Sequence, residues 1–108
     1  MISIMKGFGN EKQLNNKKLN FGNILVNNQL LNKAIELQAK GKLLDASKCY
    51  KYLINQGSKN AQVFSNYGTC LKNIGKLEEA ESCYRRAIKI DPKYEMAYSN
   101  LGANLLLF

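Results

Sequence analysis

The chain repeats itself every 34 residues. When residues 27–60 are set against 61–94, identical pairs fall at Asn32 and Asn66, Leu37 and Leu71, Gly41 and Gly75, Lys42 and Lys76, Leu43 and Leu77, Ala46 and Ala80, Cys49 and Cys83, Tyr50 and Tyr84, and Ile54 and Ile88. From Glu95 the pattern starts again, with Tyr98, Asn100, Leu101, Gly102 and Leu105 in the places of Phe64, Asn66, Tyr67, Gly68 and Leu71. Units of this size bury their apolar faces only by stacking on neighbours, so the period implies a solenoid. It points away from a catalytic domain.

Within each unit the spacing predicts two helices. Val63, Phe64, Tyr67, Cys70, Leu71 and Ile74 form one apolar stripe at i, i+3, i+4, i+7; Leu77, Ala80, Tyr84, Ala87, Ile88 and Ile90 form another. Gly75-Lys76 supplies a tight turn between them, because glycine adopts positive φ without steric cost. Asp91-Pro92 ends the second helix, since proline offers no amide hydrogen and disfavours helical geometry in the residue before it. Gly68 and Ala80 are small where the helices of a pair must cross closely. Tyr84 is expected to fill the space toward the next unit, and Phe64 and Tyr84 to meet in one shared apolar seam.

These residues resemble the tetratricopeptide repeat (TPR) family. Phe64, Tyr67-Gly68, Leu71, Gly75, Ala80, Tyr84, Ala87 and Pro92 match its pattern across one whole unit. The first unit fits more loosely: Lys33 stands where leucine belongs and Ser58 where proline belongs. The resemblance implies an all-α fold, a right-handed superhelix of antiparallel helix pairs. The expected organisation is a basic polar leader over 1–24 and a repeat domain over 25–108. That domain divides into units at 27–60 and 61–94 and the first helix of a third unit at 95–108.

Composition narrows the chemistry. Histidine is absent, which removes the usual general base, every Ser-His or Cys-His nucleophile pair and the commonest zinc ligand. Glu78, Glu79 and Glu81 cluster at the start of a helix, where the helix dipole favours negative charge. Gly7-Phe8-Gly9 follows no strand and lacks the Gly-Lys-Ser/Thr ending of a phosphate loop. The expectation is therefore no catalytic residue, no metal and no cofactor. Cys49, Cys70 and Cys83 are odd in number and lack C-x-x-C spacing, which argues against a disulfide framework and for a cytoplasmic setting. No run approaches the roughly 18 apolar residues of a membrane span.

The family resemblance assigns the first helix of every unit to the concave wall of the superhelix. There Asn32, Asn66 and Asn100 recur once per unit. A primary amide carries donors and acceptors, so it can pair with the backbone of an extended peptide whatever that peptide's side chains. The resemblance implies a ladder of the kind found in the peptide-binding arrays of O-linked N-acetylglucosamine transferases and kinesin light chains. With 14 of 108 residues asparagine, the same row could instead bond neighbouring helices, and both readings stand at this point. Gln62, Ser65, Thr69, Lys72 and Asn73 complete the expected peptide-binding set. Some family members hold acidic chaperone tails in a two-carboxylate clamp with lysine and asparagine on the first unit and lysine and arginine on the third. Here Leu31, Ile35, Met96 and Asn100 occupy those places and only Asn66 matches, so such a receptor is not expected.

The net charge is +8. In the leader, Lys6, Lys12, Lys17 and Lys18 face a single acid, Glu11, but these charges are dispersed and arginine is scarce, so nucleic acid is not the favoured partner. At the other end Leu101, Leu105, Leu106 and Phe108 form an apolar face with no second helix after it. Burying one such side chain is worth about 1.5–3 kcal/mol, so either a continuation of the array or a second copy is expected to cover them. Two functions follow: a non-enzymatic scaffold binding an extended peptide or partner helix, or the recognition end of a longer enzyme. The second rests on similar bacterial arrays that precede glycosyltransferase, sulfotransferase or methyltransferase domains.

Overall fold

The computed structural model describes Gly22 and residues 24–107. Most of the basic leader lies outside the described residues, including all its lysines and Glu11, and so does Phe108. Among the described residues there are five helices and no strand. They are α1 over 24–39, α2 Leu43–Asn55, α3 Ala61–Ile74, α4 Leu77–Ile90 and α5 Glu95–Leu105. This is the all-α helical-repeat solenoid that the period implies, with α1/α2 and α3/α4 as hairpins and α5 stacked on the second.

Local chemistry sets the helix ends. Gly41 and Gly75 sit at φ 77° and 99°, and in each turn the following lysine closes back onto the helix, Lys42 N–H to Leu37 O at 2.9 Å and Lys76 N–H to Leu71 O at 2.8 Å. Carbonyls that would be orphaned at a helix end are thereby satisfied. Asn60 caps α3 by accepting from the Gln62 amide at 2.9 Å. Asp91, before Pro92, is extended at φ −135°, and α4 stops at Ile90. The first unit lacks that proline. Gly57 turns the chain there instead, at φ 86°, with Ser58 N–H bonded to Leu53 O at 3.1 Å.

The core runs along the helix interfaces in three clusters. Ala34, Ala46, Tyr50, Leu53, Val63 and Cys70 join α1, α2 and α3; Ala61, Phe64, Ala87 and Ala97 join α3, α4 and α5; Leu71, Ala80 and Tyr84 form the third, with Leu101 of α5 packed against it. Phe64 and Tyr84 therefore do not share one seam as the sequence suggests. They occupy successive layers of the α3–α4 interface because they sit at different heights along an antiparallel pair. Nor does Tyr84 mainly fill the next unit. Its ring lies over Gly68 of its own hairpin, where an added Cβ would meet Tyr84 Cε1 at 2.8 Å and Ala80 O at 3.2 Å. The absence of a side chain at 68 is what lets a fully buried tyrosine into the crossing.

The hairpins fan. The backbones of α3 and α5 approach one another, whereas those of α2 and α4 do not. Of these four, α3 and α5 thus lie along the inner edge while α2 and α4 splay on the outer one, and α1 joins α3 through the cluster of Ala34, Val63 and Cys70.

Candidate functional site

Along the inner wall the repeated amides are in unlike environments. Asn32 is exposed, while Asn66 and Asn100 are half-buried. Asn100 donates from Nδ2 to Ser65 Oγ at 3.1 Å, a bond that ties α5 to α3. Ser65 itself is buried at 1 % exposure. Its side chain is a support under Asn100 rather than a surface available to a ligand, because α5 packs across it.

The buried tyrosines organise the rest of the wall. Tyr84 and Thr69 share a hydrogen bond of 3.0 Å between their hydroxyls, and Thr69 Oγ1 also donates to Ser65 O at 3.1 Å. Thr69 is thus turned inward as well. In the preceding unit the Tyr50 hydroxyl donates to Gln38 Oε1 at 2.7 Å. Burial pushes the Tyr50 phenol up to about 12, against which a hydrogen bond from Asn66 acts in the opposite sense. Tyr84 is likewise raised by burial, with Thr69 opposing. Asn66 bears on Tyr50 and Asn100 on Ser65, so these two amides tie successive units while each keeps part of itself at the surface. A half-engaged amide still offers unused donor and acceptor sites, and it offers them in a fixed orientation.

Gln62 and Asn73 are exposed and Lys72 is half-buried. Among the described residues, Lys72 is in no ion pair. The surrounding wall is apolar: Ile35 is 36 % and Met96 59 % exposed. Such a surface suits contacts through backbone groups and a few apolar side chains. Of the end face, Leu101 packs inward beside Tyr84. Leu105, Leu106 and Leu107 are exposed, Leu106 at 88 %, and Phe108 lies outside the described residues.

Two structural residues escaped the sequence reading. Gln38 is the partner of Tyr50, and no pattern marks it because the matching place in the next unit is Lys72. Asn104 is fully buried, donating from Nδ2 to Leu77 O at 2.9 Å while its Oδ1 has no partner. Here a signal existed: Asn104 is the repeat equivalent of the buried Cys70. Among the described residues no three His, Cys, Asp or Glu side chains gather as metal ligands would, and no helix is long and apolar enough to cross a membrane.

Comparison with known proteins agrees with this architecture. The family model described as TPR repeat matches residues 71–106. No curated protein matches the sequence. Among solved structures, the second TPR domain of Spaghetti (RPAP3), bound to the HSP90 peptide SRMEEVD, is 26 % identical with a TM-score of 0.71, the match covering 75 % of each chain. The second TPR domain of human RPAP3, in complex with the HSP70 peptide SGPTIEEVD, is 29 % identical with a TM-score of 0.64, over 68 % of this chain and 61 % of that one. The Sgt2 TPR domain from Aspergillus fumigatus, at 24 % identity and a TM-score of 0.69, shares the fold over 74 % of this chain and 53 % of its own. Over residues 71–106 the chain matches the tetratricopeptide repeat, and its all-α array of helix hairpins is similar to the TPR domains of these solved structures.

Proposed function

We propose that this array is a non-catalytic scaffold that holds an extended peptide segment against the inner wall of α1, α3 and α5. One observation carries the reading: Asn100 is fixed by Ser65 at 3.1 Å yet stays half at the surface. An amide held in this way is preorganised, which lowers the ordering cost of binding. Asn32 and Asn66 occupy the repeat-equivalent places, and Gln62, Lys72 and Asn73 extend the polar surface beside them. Ser65 and Thr69 support the site from beneath.

Similar domains hold chaperone peptides ending in EEVD. This wall presents Leu31, Met96 and Asn100 where a carboxylate clamp would need cations, so the segment it takes is neutral and partly apolar. Three free thiols suit a reducing cytoplasm, where we place the protein. The test is peptide-library display on the intact chain, with the best binder titrated against Asn66→Ala and Asn100→Ala. Each variant is expected to lose more than about 1 kcal/mol of affinity with helicity unchanged, and SRMEEVD is expected not to bind. Unaltered affinity in both variants would remove the ladder from the reading, and tight SRMEEVD binding would remove the neutral-segment preference.

A further inference from the structure

The outer side of the array has a cavity of its own, unrelated to the groove. Where α2 and α4 splay apart, a space of about 450 Å³ opens, within the range of about 300–1,000 Å³ typical of ligand pockets. Its apolar lining is Ile54 from α2, Phe64 from α3 and Cys83 from α4, and its cations are Lys59, in the turn after α2, and Arg86. No carboxylate lines it. Arg86 stands with its guanidinium 5.8 Å from the centre of the Phe64 ring, while the neighbouring Arg85 takes Glu81 at 3.3 Å. Among the described residues, neither Lys59 nor Arg86 is in an ion pair.

We infer that this cavity is a docking site for an acidic peptide segment carrying one large apolar side chain, the apolar group entering against Ile54, Phe64 and Cys83 and flanking carboxylates meeting Lys59 and Arg86. The chemistry of the lining selects that occupant. Two uncompensated cations at an apolar pocket, in a chain of net charge +8, complement a ligand that is both acidic and apolar. Phe64 is only 8 % exposed, too little surface for a base to stack on, so single-stranded nucleic acid is the poorer fit.

The probe is a fluorescein-labelled pentapeptide, one phenylalanine flanked on each side by two glutamates, titrated into the intact chain by fluorescence anisotropy. Saturable binding is expected, weakened about tenfold or more by Arg86→Glu and by Lys59→Glu, two surface changes whose folding circular dichroism checks. Replacing the phenylalanine by alanine, or the glutamates by lysine, is expected to weaken it to a similar degree. Bound peptide should slow alkylation of Cys83, read by peptide mapping, while Asn66→Ala leaves affinity unchanged. The inference is overturned by absent or unsaturable binding, by equal affinity for the alanine peptide, by loss in Asn66→Ala with Arg86→Glu unaffected, or by a single-stranded oligonucleotide that binds the same site more tightly.

Discussion

Gly68 and Gly102 stand one period apart, each inside the first helix of its unit, and alanine should act on them in opposite directions. Glycine inside a helix costs roughly 0.5–1 kcal/mol relative to alanine. At Gly102 nothing lies within 4 Å of the added methyl, so Gly102→Ala should gain that amount. At Gly68 the methyl would sit 2.8 Å from Tyr84 Cε1 and 3.0 Å from Cδ1, with Ala80 O at 3.2 Å. The ring cannot simply turn aside: Tyr84 is completely buried and its hydroxyl is tied to Thr69 at 3.0 Å. Overpacking of this kind costs about 1–3 kcal/mol, and straining the hydroxyl pair puts a further ~1 kcal/mol at stake. After subtraction of the propensity gain, Gly68→Ala should lose about 1–3.5 kcal/mol. A domain of this size moves by about 4–8 °C per kcal/mol, so thermal and urea unfolding followed by far-UV circular dichroism should place the two variants on opposite sides of the parent. Amide exchange in α5 should report the Gly102 gain locally. Shifts of the same sign in both variants would refute the claim that the close helix crossing, rather than helix propensity, governs position 68.

Asn104→Cys, which installs the residue that the preceding unit uses at the same place, should be neutral or stabilise by up to about 1 kcal/mol, because Oδ1 is buried without a partner; a clear loss in urea unfolding would show that the bond to Leu77 O dominates. Alkaline pH should unfold the chain in a defined window. Burial pushes the Cys70 and Cys83 thiols up to about 11 and Tyr50 to about 12, so the folded state holds these protons more tightly than the unfolded chain does. Their stabilising contribution is fully present below about 9, the ordinary thiol value, and is lost as pH rises through 11 and 12. A urea midpoint that stays constant across that span would contradict the burial of these groups. At the end face, light scattering should show a mass that grows with concentration and falls back in Leu106→Lys, since Leu106 is 88 % exposed. A monomer at every concentration would exclude self-association through α5.

Much of the fold was legible because its determinants are local or periodic. A stripe at helical spacing, Gly75 before Lys76 and Asp91 before Pro92 act on backbone a few residues away, so helix and turn could be read without knowing any neighbour. Repetition then supplied the long-range part, because identical units stack in one way. Where a unit departed from the pattern, reading became harder: Ser58 in place of proline did not reveal that Gly57 would make the turn. Asn104 could have been placed in the core from its equivalence to Cys70, but nothing in the chain announced which of its atoms would find a partner.

By itself the sequence determined the period, the helices, the turns and the small residue at 68, all consequences of backbone preference and of which side chains can share an interface. Only the tertiary structure decided that Asn100 rests on Ser65, that Phe64 and Tyr84 lie in separate layers, and that α2 and α4 part to open a basic, apolar-floored cavity. Those facts depend on the angle at which one hairpin meets the next. That angle is set by the summed packing of many side chains across α3, and no single residue carries it.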